Sequence, residues 1–272
     1  MQNYSSNPRE IITSLWRNRQ LLKALIKREV IGRYRGSVMG MTWSFFNPII
    51  MLAIYTFVFS VVFKARWSTG SDSKTEFALV LFAGLLVFNL FAECISRAPG
   101  LILANVNYVK KVVFPLEILP WVSLGAALFH MLISFGVWLL FYLLFFGAPH
   151  VTLLLFPLIL LPLVLMIMGL SWILASLGVF LRDVGQLIGL AVTVLMFLTP
   201  IFYPLSAIPE KYRLFIYLNP MTIVVEQTRG ALIWGQPLHL GQYGAYFLVS
   251  AVLAAAGFAW FQKTRKGFAD VL

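Results

Sequence analysis

The chain has 272 residues, of which 60% are apolar and 11% charged, whereas a soluble domain is roughly 45–50% apolar and about 25% charged; an ordinary water-soluble fold is thereby excluded and most of the mass is assigned to a bilayer. The formal net charge of +11 is concentrated beside apolar runs, where positive-inside topology and anionic lipid headgroups account for it, and this argues against nucleic acid as a partner. The single cysteine, Cys94, excludes an intrachain disulfide and has no neighbours that would make a metal site.

Residues 1–35 carry eight Lys or Arg and no long apolar stretch. Ile11, Ile12, Leu15, Trp16, Leu22, Leu25 and Ile26 recur there at helical spacing with basic residues between them, which predicts an amphipathic helix at the membrane surface, divided near Asn18 to Gln20. The remainder, 36–272, is predicted to be an all-α integral membrane domain with six transmembrane helices. Their ranges are 39–63, 77–95, 116–146, 151–181, 184–203 and 243–262. The first is 25 residues without a charge, enough to cross a hydrocarbon core of about 30 Å at about 1.5 Å per residue.

Between the second and third spans, 96–111 contains Arg97, Pro99, Gly100, Asn105, Asn107, Lys110 and Lys111, too polar for lipid; Leu101 to Val109 reads as helical. Glu117, near the start of the third span, is expected to pair with Lys110, Lys111 or a neighbouring subunit. Arg182 and Asp183 form a short turn between the fourth and fifth spans. Residues 204–242 are too long for a simple connection. They start with Pro204 and Pro209 and contain two short apolar helical candidates, Leu214 to Leu218 and Met221 to Val225, separated by Asn219 and Pro220; Glu226 and Arg229 follow at i,i+3 spacing. A short re-entrant helical pair acting as an outer gate and a folded external cap both fit this pattern.

With this topology the inner segments hold fifteen Lys or Arg and the outer ones six. Both termini are therefore expected in the cytoplasm. No G-x-x-x-x-G-K-[ST] stretch is present, so the chain does not cradle nucleotide phosphates in that way. Gly169-Leu170-Ser171-Trp172 lacks the second glycine of a nucleophile elbow, and His130 is the only histidine well inside a span, where it reads as a satisfied polar residue. No catalytic residue and no metal site is assigned.

Residues 33–48 run Arg33, Tyr34, Arg35, Gly36, Ser37, Val38, Met39, Gly40, Met41, Thr42, Trp43, Ser44, Phe45, Phe46, Asn47, Pro48, a basic and aromatic approach followed by small residues where the chain enters the membrane. With the six spans, Arg182-Asp183 and Asn219-Pro220, this resembles the type-2 permeases of ATP-binding-cassette exporters, in the branch that moves O-antigen, capsular polysaccharide or teichoic acid. The resemblance covers nearly the whole chain. It implies a homodimer in a bacterial inner membrane with two ATPase subunits docked below, so that ATP and Mg are held by the partner and no cofactor by this chain. The cargo implied is a polysaccharide attached to polyprenyl diphosphate, as in lipopolysaccharide biosynthesis.

By the same resemblance Arg97, Asn105, Asn107, Lys110 and Lys111 couple to the ATPase. Arg33, Tyr34, Arg35, Gly36, Ser37 and Gly40 form the membrane-approach motif. Trp43, Phe46, Tyr55, Phe59, Phe197, Phe202 and Tyr203 are candidate channel-lining aromatics, since sugar rings stack their CH faces on aromatic planes. Pro204, Pro209, Asn219, Pro220, Glu226 and Arg229 belong to the gate. Two alternatives stay open at this point: a drug or lipid exporter of the same architecture, and an intramembrane enzyme acting on lipid-linked glycan.

Overall fold

The computed structural model describes residues 7–62, 67, 74–110 and 114–272. Among these residues every regular element is helical. The chain runs α1 (Arg9–Arg17), α2 (Arg19–Arg33), α3 (Trp43–Tyr55), α4 (Lys74–Arg97), α5 (Val106–Lys110), α6 (Leu119–Phe146), α7 (Phe156–Phe180), α8 (Val184–Leu198), α9 (Glu210–Leu218), α10 (Pro220–Leu232), α11 (Leu240–Thr264) and α12 (Phe268–Val271). Among the described residues five stretches are long and apolar enough to cross a bilayer: Gly40–Val58, Thr75–Gly100, Leu116–Phe146, Val151–Phe180 and Leu240–Val271. The chain is thus an all-helical, multi-pass membrane protein.

The stretch at 184–203, expected to be a full span, holds a shorter helix. α8 has 15 residues, about 22 Å of rise. Its end is set by Pro200, which pushes Thr199 into an extended conformation (φ −81°, ψ 136°). The first span also departs from a plain helix: a 3-10 turn at Gly40–Thr42 precedes α3, Pro48 lies inside it, and a π-helical stretch, Thr56–Val62, continues it.

α4 is the hub. It packs against α3, α6, α7, α8 and α10, and between residues 77 and 95 only Asn89 is exposed. The most extensive helix pair is α7 with α11. Gly169 and Gly257 make it possible: a Cβ on Gly257 would stand 2.2 Å from the Gly169 carbonyl oxygen, and one on Gly169 would stand 2.6 Å from that of Leu253. In lipid, where the solvent is as apolar as the side chains, close backbone approach of this kind is a main source of helix association.

At one end of the bundle α1 and α2 lie against the polar connections. Asn18 divides them, its side-chain amide donating to the Ser14 carbonyl at 2.8 Å. α2 seats Ile26 in a notch on α6 at Gly125, where a Cβ would approach the Ile26 side chain to 2.3 Å. At the opposite end α9 and α10 form a helical hairpin through Asn219. They extend well beyond the short apolar pieces expected, because Pro209 and Asn219-Pro220 start each helix and polar residues continue it.

Candidate functional site

An open cavity of about 1080 Å³ lies between α2, α3, α4 and α6. Its apolar flank comes from Pro48, Met51, Leu52, Tyr55, Phe82 and Leu85. The polar flank is built by helical periodicity. Asn89, Glu93 and Arg97 succeed one another at i, i+4 and i+8 on α4, while His130 and Ser134 stand at i and i+4 on α6.

Where α2 crosses these two helices, the polar groups close into one network. Arg33 Nη1 donates to Glu93 Oε1 at 2.5 Å and lies 3.0 Å from His130 Nδ1. His130 Nδ1 is 3.1 Å from both Glu93 oxygens. Arg97 donates to Glu29 and stands 3.8 Å from Glu93. Ionisable groups inside an apolar bundle are costly unless paired, and here each carboxylate has cationic partners.

The approach motif folds onto this network. Arg33 and Tyr34 reach it directly: Ser44 Oγ donates to Tyr34 Oη at 2.5 Å, and the Tyr34 ring meets the His130 ring edge-on at 6.2 Å. Gly36 and Gly40, at φ 87° and 52°, supply the left-handed turns that carry the chain from α2 into α3. Ser37 sits inside those turns and Arg35 is exposed.

The expected channel aromatics divide into groups. Tyr55 and Phe202 stand 5.7 Å apart and Phe197 and Phe202 6.0 Å apart, and Tyr203 Oη donates to the Phe197 carbonyl at 2.8 Å. Phe202 is buried within this cluster and Phe197 is exposed. Trp43 and Phe46 are exposed on α3. The side chain of Phe59 lies outside the described residues. α3 and α8 carry few buried residues, so both present apolar surface that one copy of the chain leaves uncovered.

The helical stretch expected at Leu101 to Val109 is present in short pieces. Pro99 and Gly100 fall in a 3-10 turn, Ala98–Gly100. A second turn, Leu103–Asn105, precedes the five-residue α5. Asn105 donates its side-chain amide to the Leu101 carbonyl at 2.9 Å. Asn107 and Lys110 are exposed, Arg97 belongs to the end of α4, and Lys111 lies outside the described residues.

Glu117, expected beside Lys110, Lys111 or a neighbouring subunit, meets Arg265 Nη1 at 2.6 Å and Ser14 Oγ at 2.9 Å, while Lys110 is exposed and Lys111 lies outside the described residues. The 3-10 turn Leu116–Ile118, set by Pro115, aims the carboxylate into the bundle where α11 ends. Neither Arg265 nor Ser14 stood out in the sequence, being one of many terminal cations and one of many serines.

At the far end, Arg229 is fully buried. It donates to the carbonyls of Val80 (3.0 Å), Pro200 (2.5 Å) and Ile201 (2.7 Å) and to Glu226 Oε1 (3.0 Å), with the Trp67 ring centroid 4.2 Å away. Asn219 accepts from Met221 N at 3.0 Å and donates to Thr199 Oγ1 at 2.9 Å. Pro220 opens α10; Pro204 and Pro209 flank the 3-10 turn Leu205–Ala207 that leads to α9. Both ends of α10 are therefore fastened to the turn after α8.

Among the described residues no group of three or more His, Cys, Asp or Glu is arranged to hold a metal. The arrangement is a polar cavity set among apolar helices and flanked by helix surfaces that one copy of the chain leaves uncovered. Comparison with known proteins places it further: the chain matches the ABC-2 type transporter family over residues 20–233 and belongs to it. It is 27% identical over 253 residues to the O-antigen export system permease protein RfbA of Klebsiella pneumoniae, covering 93% of this chain and 95% of that one. Against the protein of the same name from Myxococcus xanthus it is 28% identical over 262 residues, covering 96% and 98%. With the polysialic acid transport protein KpsM of Escherichia coli it shares 26% identity over 221 residues, 79% and 81% of the two chains.

Proposed function

We propose that this chain is the permease subunit of an ATP-driven polysaccharide exporter, moving an O-antigen-like polymer on a polyprenyl diphosphate carrier out of the cytoplasm. The observation that carries this reading is the end-to-end likeness to O-antigen export permeases, which leaves no large part of the chain for a different activity. Two copies pair through the surfaces that α3 and α8 leave open, so that Trp43, Phe46, Tyr55, Phe59, Phe197, Phe202 and Tyr203 line or support the passage. Two copies of a separate ATPase, holding ATP and Mg, dock on 96–111 beside α1 and α2.

In this reading α8 is a short sixth crossing, α1 and α2 lie in the interface, and α9 with α10 form the re-entrant gate. Both termini face the cytoplasm of a bacterial cell whose inner membrane holds the complex. The scarcity of unpaired charge within the spans favours an external energy source over ion coupling.

Deletion of the gene, followed by analysis of glycolipid on both sides of the membrane, tests the proposal. Lipid-linked polymer retained inside supports export. Loss of the polymer altogether assigns the chain to synthesis instead, and normal surface polymer with altered drug or lipid efflux assigns it to another cargo.

A further inference from the structure

The geometry points to Glu117 and Arg265 as a positioning pair that joins the connection after α4 to α6, α7 and α11, so that these move as one body. The inference rests on the exporter reading for its direction of transmission, and on the contacts around the pair for its substance.

Glu117 is buried, and each of its acceptors is used. One carboxylate oxygen takes Arg265 Nη1 at 2.6 Å, the other takes Ser14 Oγ at 2.9 Å, and the backbone carbonyl takes Trp172 Nε1 at 3.1 Å. Arg265 Nη2 continues to the Phe114 carbonyl at 2.6 Å. The Phe114 ring stacks on Tyr108 of α5, with centroids 4.2 Å apart and planes 9° from parallel. Tyr108 in turn accepts from Arg28 of α2 at 2.8 Å. A continuous chain of directional contacts thus runs from α5 through Phe114 and Arg265 to Glu117, and from there to α1, α6, α7 and the end of α11.

The chemistry distinguishes this from ordinary packing. Apolar side chains slide past one another at small cost, whereas short charge-assisted hydrogen bonds hold distance and angle. A buried ion pair is also a poor route to stability, since apolar residues of similar volume commonly serve as well or better. Charge kept here, at 9% and 7% side-chain exposure, is explained by what it holds in register. α12 adds a second tie from the same terminus: Phe268 is fully buried against Phe180 and Phe261, and α12 lies on α5.

The test uses the full complex with its ATPase in lipid nanodiscs, where ATP and the thiol reagent reach both faces. A reporter cysteine, Leu214→Cys on exposed α9 at the far end of the bundle, is placed in a Cys94→Ser background and its labelling by an impermeant thiol reagent is followed with and without ATP. The double variant Glu117→Leu with Arg265→Met removes the pair without leaving a lone buried charge. Expected are normal assembly and ATP turnover within twofold of the parent, with an ATP-dependent labelling change reduced at least fivefold and polymer export in cells reduced at least tenfold. Arg265→Lys, which keeps the charge and gives up the second bond to Phe114, is expected to shift in the same direction and decides the matter if the double variant fails to assemble. Parent-like labelling and export in these variants overturns the inference, as does ATP turnover falling in parallel with export. If the parent shows the labelling change but exports no glycan, the polysaccharide reading fails while the role of the pair stands.

Discussion

Glu93 on α4 and His130 on α6 meet inside the bundle with the imidazole Nδ1 3.1 Å from both carboxylate oxygens. Arg33 from α2 reaches the same carboxylate but is half exposed, and exposed pairs are screened. In a double-mutant cycle the Glu93–His130 coupling is expected at about 1–3 kcal/mol, and the Glu93–Arg33 coupling below about 1 kcal/mol. Thermal unfolding of Glu93→Gln, His130→Gln, Arg33→Gln and the pairwise doubles in detergent measures both terms; a larger Arg33 term would show that α2 is held chiefly by the ion pair.

Arg229 is the most heavily bonded side chain at the opposite end. Arg229→Ala leaves three carbonyls and Glu226 without their donor, and a loss of about 3–5 kcal/mol is expected, the range for removing one member of a buried charged network. Arg229→Lys should recover less than half of this, because an ammonium on a flexible stem cannot serve Val80, Pro200 and Ile201 together. Equal stability of Arg229→Lys and the parent would mean that charge alone matters here.

Gly257→Val forces a side chain into the Gly169 carbonyl and should destabilise by about 1–3 kcal/mol or prevent assembly. Gly244→Ala on the same helix meets nothing within 4 Å and serves as the neutral control. Accumulation in the membrane and thermal midpoint in detergent read out both; the argument for a glycine-packed α7–α11 pair is lost if the two variants behave alike.

Asn219→Ala removes the cap of α10 and the bond to Thr199, with an expected cost of about 1–2 kcal/mol. Combined with Thr199→Val, the effects should fall short of additive, since the two residues share a hydrogen bond. Fully additive losses in thermal unfolding would separate the cap from the tie to α8.

Replacing Phe46, Tyr55 and Phe59 together with Ala should lower polymer export at least tenfold while the protein still assembles. Export assayed as surface polymer against retained lipid-linked polymer checks this. Unchanged export would remove the first span from the passage.

Long-range charge contacts account for most of what the sequence could not show. The apolar runs and the punctuation at Asn18 and Asn219-Pro220 are local signals, and they correspond to real helix boundaries. The four-residue spacing of Asn89, Glu93 and Arg97 puts them on one face of a helix, but which helix that face meets depends on packing between residues tens of positions apart. Glu117 illustrates the limit. By distance along the chain Lys110 and Lys111 are its natural partners, but a 3-10 turn reverses its direction toward Arg265, 148 residues away. The fifth span was expected to run through Pro200 to residue 203, whereas α8 ends at Leu198, and the bonds from Arg229 to the Pro200 and Ile201 carbonyls require the hairpin to have folded back.

The shortness of α8 bears on the bilayer itself. Fifteen residues give about 8 Å less apolar length than a hydrocarbon core of about 30 Å. A helix of that reach, set across a membrane, draws the two leaflets together around it, because exposing lipid tails to water costs more than a local dimple. With α8 as the proposed sixth crossing, the oily barrier would be thinnest beside it, and a hydrophilic polymer passing there would have the shortest distance to travel without water.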